Sequence, residues 1–193
     1  MCDYNAIAVL QDHTLVFPEL CHGCGACSYF ACPEEAIGMV ENASGEWYIS
    51  ETKYDTLVHA KLTPPEENSG KLVTLVKNRA KEIAERDGLD LVLIDGSPGI
   101  GCPLIASLSG VSCSIIVTEP TISGLHDARW VVAVANHFGV PARAIVNKYD
   151  LNMEITGRIE EYFKRRSIDV VGKIAFEEAV VHAMVEGKTI VEF

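Results

Sequence analysis

From about Leu89 onward, short apolar runs alternate with stretches of helical period, the pattern of βαβ units that build a parallel sheet. It predicts strands over residues 89–94, 113–117, 142–146 and 170–175, with helices over 103–109, 125–138 and 154–166 between them. A last helix over 178–186 follows the final strand. Gly139 and then Pro141 close the second helix, because Gly ends a helix readily and Pro cannot continue one. Upstream, Ser69 opens a longer helix in which Leu72, Val76, Ala80 and Ile83 recur on one face. Residues 56–62 suit a strand ahead of it, and 63–70, with Pro64, Pro65, Asn68 and Gly70, read as a loop. The first 45 residues differ: 6–10 and 15–17 suit a small hairpin, after which cysteine and glycine replace periodicity.

Hydrophobic residues make up 48% of the 193, enough to bury a core as one domain with a small appendage. The longest apolar runs, such as 130–135, fall far short of the ~20 residues that span a bilayer, and no basic segment precedes an apolar one at the N-terminus. The expectation is a soluble cytoplasmic protein with no membrane partner. A formal charge of -11 sets aside nucleic acid as a partner, since that attraction depends on clustered Lys and Arg.

Five of the seven cysteines lie in the first 32 residues, which points to a metal centre in a reducing compartment rather than a disulfide scaffold. Cys21, Cys24 and Cys27 form C-x2-C-x2-C, and Cys32 followed by Pro33 completes a run resembling the bacterial ferredoxin signature. Gly23 and Gly25 between them allow backbone to turn toward an inorganic cluster. Structural zinc is the competing reading, but such sites usually pair two separate C-x2-C knuckles, and a second is absent. In two-cluster ferredoxins the fourth cysteine of each run serves the other cluster. The stretch from Cys2 to Ile7 resembles the end of a first run, just as Cys32 to Ile37 ends the second. Cys2 would then complete a [4Fe–4S] cluster with Cys21, Cys24 and Cys27, while Cys32 belongs to a second, incomplete set. Four residues rather than the usual three separate Cys27 from Cys32, so the extra one either bulges or displaces Cys32. Few apolar side chains occur here to offset a backbone ordering cost of ~1–2 kcal/mol per residue, so this segment needs a cofactor to hold it.

The predicted strand Leu91-Val92-Leu93-Ile94 ends in Asp95, followed by Gly96-Ser97-Pro98-Gly99. A carboxylate there faces Mg2+ in P-loop enzymes, although an Asp before a Pro-Gly turn is also an ordinary turn former. The whole run from Ile94 to Pro103 is similar to the switch II segment of MinD-superfamily ATPases that carry inserted ferredoxin domains. Val117-Thr118-Glu119-Pro120-Thr121, Gly124-Leu125-His126-Asp127, Val146-Asn147-Lys148 and Gly172-Lys173-Ile174-Ala175-Phe176-Glu177 match in order, so the resemblance covers essentially the full chain. It implies a mostly parallel, doubly wound α/β sheet of P-loop type, with a partial ferredoxin-like domain over 1–45 and the C-terminal part of a nucleotide-binding domain over 46–193. It also implies Asp95 in the Mg2+ shell, Gly99 at the γ-phosphate switch, Asn147 near the adenine, and Thr118 and Glu119 beside the nucleotide. The family has Pro and Asp where this chain has Ala175 and Glu177.

No G-x-x-x-x-G-K-[ST] loop occurs in these 193 residues, so the amide nest and lysine that hold ATP phosphates are not among them. In the family layout that loop and the first three cysteines of the first run lie upstream of residue 1, and one truncation would explain both. The chain alone is therefore expected to be inactive, pairing as a homodimer or with a companion chain that supplies the loop. Two functions follow from the resemblance. One is part of an ATPase that couples ATP and Mg2+ to electron transfer or cluster handling with a redox or iron–sulfur partner protein. The other is a ferredoxin-type electron-transfer or cluster-carrier module whose α/β part only docks. MinD-like membrane positioning is disfavoured, because the chain closes on Ile190-Val191-Glu192-Phe193 without a basic amphipathic stretch.

Overall fold

The computed structural model describes residues 2, 5–10, 13–21, 23–41, 45–62, 70–99 and 101–193. The chain divides into two compact units, Met1–Asn68 and Ser69–Phe193.

The first unit contains two antiparallel hairpins. β1 (Ile7–Leu10) pairs with β2 (His13–Val16), Ile7 opposite Val16 and Leu10 opposite His13. β3 (Gly45–Glu51) pairs with β4 (Thr56–Leu62), Gly45 opposite Leu62 and Glu51 opposite Thr56. Thr52 staples the second hairpin's turn: its hydroxyl donates to the Asp55 carbonyl at 2.7 Å and accepts the Tyr54 and Asp55 amides. The sequence pattern anticipates β1, β2 and β4 but not β3. Because the spatial division falls between Asn68 and Ser69, β3 and β4 cluster with the cysteine region. The boundary near residue 45 is read from the sequence, where cysteine and glycine give way to regular periodicity.

In the second unit, β5 (Ser114–Thr118), β6 (Ala142–Asn147) and β7 (Val170–Ile174) form a parallel sheet in that order. Ile116 stands opposite Ala144, and Thr118 opposite Val146. α3 (Ile122–His137) connects β5 to β6, and α4 (Met153–Arg165) connects β6 to β7. The longer connections required between parallel strands are thus the predicted helices. Leu125, Ala128 and Val132 of α3 and Ile155, Ile159 and Phe163 of α4 share one buried cluster with Ile116, Ala144 and Val146 of the sheet. A side-chain oxygen caps each helix: Thr121 accepts the Gly124 amide at 2.9 Å, and Asn152 accepts the Ile155 amide at 3.0 Å.

A second cluster joins Leu104 and Leu108 of α2 (Cys102–Leu108) to Ala135 and Val140. α1 (Gly70–Asp87) packs on α2, and the Lys77 ammonium donates to the Ala106 and Ser109 carbonyls at the helix's open C-terminal end. α5 (Glu178–Val185) follows β7.

The predicted strand over 89–94 is corrected. No described strand pairs with it, and the segment runs without regular structure, with Leu91 77% and Leu93 88% exposed. Composition favours a strand here, but a strand exists only as one side of a ladder, and among the described residues β5 is bonded only to β6. The doubly wound expectation is met in part. The unit is α/β with a three-stranded parallel sheet, α3 and α4 bury one face, and on the other Ile115 (57%) and Val117 (61%) are exposed. Among the described residues, no helix is long and apolar enough to cross a membrane.

Candidate functional site

The cysteine segment is shaped by backbone rather than by packing. Cys21 ends a short 3-10 turn over Pro18–Leu20, its amide bonded to the Pro18 carbonyl at 3.0 Å. Gly23 and Gly25 follow at φ +64 and +73, conformations that cost a side-chain-bearing residue and leave backbone free to face a bound group. Cys27–Ala31 then forms one π-helical turn, closed by the Cys32 amide on the Cys27 carbonyl at 3.1 Å. That turn absorbs the extra residue between Cys27 and Cys32: an i→i+5 bond takes five residues where an α turn takes four, so the insertion bulges. The Cys32 sulfur accepts the Ala36 amide at 3.3 Å, and the Cys2 carbonyl accepts that of Asn5 at 3.0 Å.

The donor chemistry suits a thiolate-held cluster. All seven cysteines are free thiols, with Cys21 and Cys24 exposed and Cys2, Cys27 and Cys32 half-buried. The convergence expected of Cys2, Cys21, Cys24 and Cys27 is not part of the described geometry. Among the described residues, no group of three or more His, Cys, Asp or Glu side chains is placed to hold a metal. Cys102, at the start of α2, and Cys113, just before β5, are exposed.

The second group lies at the carboxyl edge of the parallel sheet, where open α/β sheets bind ligands. Thr118 and Asn147 end β5 and β6, and Glu119 follows Thr118. Lys148 adopts a left-handed conformation, φ 53, and its ammonium meets the Glu119 carboxylate at 2.7 Å, bridging the two strand ends. Asp150, in the next turn, accepts the Phe176 amide at 2.8 Å and so ties the loop after β6 to the loop after β7. This contact carries the turn that holds Ala175 and Glu177. Gly124 completes the edge, because a Cβ there would stand 2.4 Å from the Glu119 carbonyl and 3.1 Å from the Thr118 hydroxyl.

Asp95 and Gly99 stand apart from this ladder-borne group. Both are exposed on the irregular segment, with Gly99 at φ +86, and Ile100 lies outside the described residues. The sequence reading therefore picks out Thr118, Glu119 and Asn147, which the sheet brings to one edge, quotes Gly124 only as the start of a matching run, and misses Asp150. The Asn147-Lys148 pair was the available signal for the bridging lysine; nothing in periodicity marks Asp150.

No protein-family model matches the chain. It is 34% identical over 96 residues to the uncharacterized protein MJ0578 of Methanocaldococcus jannaschii, a match covering 50% of this chain and 33% of that protein. It is 25% identical over 154 residues to the uncharacterized protein MJ0579 of the same organism, covering 79% of this chain and 54% of that one. The septum site-determining protein MinD of Bacillus subtilis is 27% identical over 150 residues, covering 74% of this chain and 54% of MinD. The matches thus span about half or less of each relative's length. The similarity to MinD supports a distant relationship to the MinD/ParA-like superfamily of nucleotide-binding ATPases.

Proposed function

We propose that this chain is part of an iron–sulfur ATPase of MinD type, in which the nucleotide state of the α/β unit is coupled to a redox-active cysteine segment. The observation that carries the nucleotide half is the edge built from Thr118, Glu119 and Asn147, bridged by Lys148, at the carboxyl ends of a parallel sheet in a MinD-related chain. Asn147 would face the base, Thr118 and Glu119 would line the nucleotide, and Asp95 and Gly99 would serve Mg2+ and the γ-phosphate. The phosphate loop would come from outside these 193 residues, on a further segment or on a companion chain. The exposed sheet face at Ile115 and Val117 supports that partnership, since parallel sheets are ordinarily covered on both faces.

The cysteine half rests on donor spacing. Cys2, Cys21, Cys24 and Cys27 would hold a [4Fe–4S] cluster, and Cys32 belongs to a second, incomplete set. Such a cluster supplies one-electron transfer, which fits a reducing cytoplasmic setting and a redox or iron–sulfur partner protein. The chain's own contribution is to place thiolates by the Gly23 and Gly25 turns and to keep Cys32 in register through the π turn. The competing reading, a ferredoxin-type electron carrier with a merely docking α/β unit, draws on the unpaired state of residues 89–94.

Two measurements on the same preparation separate these readings. Anaerobic reconstitution with iron and sulfide should give a chromophore with iron and sulfide in equal amounts, absent from a Cys2→Ser variant. Fluorescent ATP with Mg2+ should bind weakly to the chain, without turnover above background, and Asn147→Ala should abolish that binding. A cluster with no nucleotide binding leaves the carrier reading. Tight binding with turnover by the chain alone removes the need for a partner-supplied loop, and failure to take up iron sinks the cysteine half.

A further inference from the structure

The outer surfaces of α3 and α4 form an open groove of about 590 Å3 lined by His126, Arg129, Trp130, Tyr162, Arg165 and Arg166. Three guanidinium groups on a chain of formal charge -11 make this a local reversal of sign. The Arg129 and Arg166 guanidiniums stand 5.5 and 5.2 Å from the centre of the one Tyr162 ring, whose face attracts cations. Neither pairs with a carboxylate among the described residues, whereas Arg165 is held by Glu161 one turn earlier in α4. Two like charges gathered on one ring without a counter-ion leave a positive field that an incoming carboxylate would neutralise. Beside them the Trp130 indole donates to His126 at 3.3 Å, and Asp127 meets the far nitrogen of that imidazole. Each side of the groove thus mixes aromatic and cationic groups, α3 giving His126, Arg129 and Trp130 and the end of α4 giving Tyr162, Arg165 and Arg166.

We propose that this groove docks an acidic segment of a partner protein, its carboxylates on Arg129 and Arg166 and an apolar neighbour against Trp130. Charge complementarity selects the occupant: nucleic acid would meet the chain's overall negative charge, while a short acidic segment meets only the local patch. The composition agrees, since Trp, Tyr and Arg are the side chains enriched where protein interfaces concentrate their binding energy. The open shape favours an extended segment over an enclosed small anion. This inference is independent of the nucleotide and cluster readings.

The test uses the chain itself, titrated with a short alternating glutamate–leucine peptide while Trp130 fluorescence is followed, and with the glutamine–leucine peptide as control. The expected result is saturable binding of the glutamate peptide alone, weakened by salt, and weakened about tenfold or more in the exposed double variant R129Q/R166Q. The R129K/R166K variant keeps the charge and should recover most, not all, of the affinity, because an ammonium cannot form the paired bonds of a guanidinium. Equal binding of the two peptides, or unchanged affinity in R129Q/R166Q with an unchanged melting curve, overturns the proposal. So does saturation by inorganic phosphate at concentrations that displace the peptide, which would make this a small-anion site. A dimer that falls apart in R129Q/R166Q would name a second copy as the occupant, and overturns it as well.

Discussion

In Ser69–Phe193, Phe163, Ile159, Val132 and Val146 are fully buried, and two hydrophobic clusters tie the helices to each other and to the parallel sheet. In Met1–Asn68, Ala6 is the only buried hydrophobic side chain among the described residues, although the unit contains two paired hairpins. The difference lies in how the elements cover each other. A helix laid across a sheet hides a stripe of side chains from both, while a two-stranded hairpin alone hides almost nothing and is marginal in water. One unit is held by its own packing. The other is placed by turns and backbone bonds, and its chemistry is concentrated in cysteine.

The comparison breaks most readily in the packed unit. Phe163→Ala empties the centre of the α4–sheet contact and should cost about 3–5 kcal/mol in urea unfolding of that unit. A loss near zero would mean that the cluster is not what holds it. Next is Gly124→Ala, which drives a methyl toward the Glu119 carbonyl. We expect a loss of about 1–3 kcal/mol and, in the nucleotide titration, weaker binding, because the edge carrying Thr118 must shift. Thr121→Ala removes the α3 cap and should cost about 1 kcal/mol, read as a lowered melting temperature of the same transition. Smallest is Val9→Ala in β1, an exposed position, where the change in stability should stay within about 0.5 kcal/mol. A large effect there would reveal a core in the first unit that the packing does not show.

Much of the packed unit was legible beforehand because its elements satisfy local and tertiary demands together. The helix over Ile122–His137 has both a Thr cap and a buried stripe, and β5 to β7 alternate apolar runs with helix-length connections. Residues 89–94 failed for the complementary reason: Leu91 to Ile94 have strand composition, but no described strand bonds to them. β3 escaped notice because Glu46, Tyr48 and Ser50 dilute its apolar signal, and its partner β4 and the Thr52 turn hold it instead.

The candidate site divides along the same line. Thr118 and Asn147 were legible as strand ends, since their place follows from the sheet. The Asp150 tie to Phe176 was not, because it joins two loops far apart in sequence. Among the cysteines the spacing named the thiols, and the π turn shows how four residues are accommodated between Cys27 and Cys32. The groove on α3 and α4 could not be read in advance, since Arg129 and Arg166 meet only through the shared Tyr162 ring.

We propose that the cysteine segment and the β1–β2 hairpin owe their order to metal on the thiols while the second unit does not. Amide hydrogen exchange, measured on the full chain before and after anaerobic loading with iron and sulfide, addresses it directly. Loading should slow exchange in β1, β2 and the cysteine segment by about tenfold or more, leave α3, α4 and β6 unchanged, and do nothing in a Cys24→Ser variant. Equal protection of both units without iron, or slowing that persists in Cys24→Ser, would contradict it.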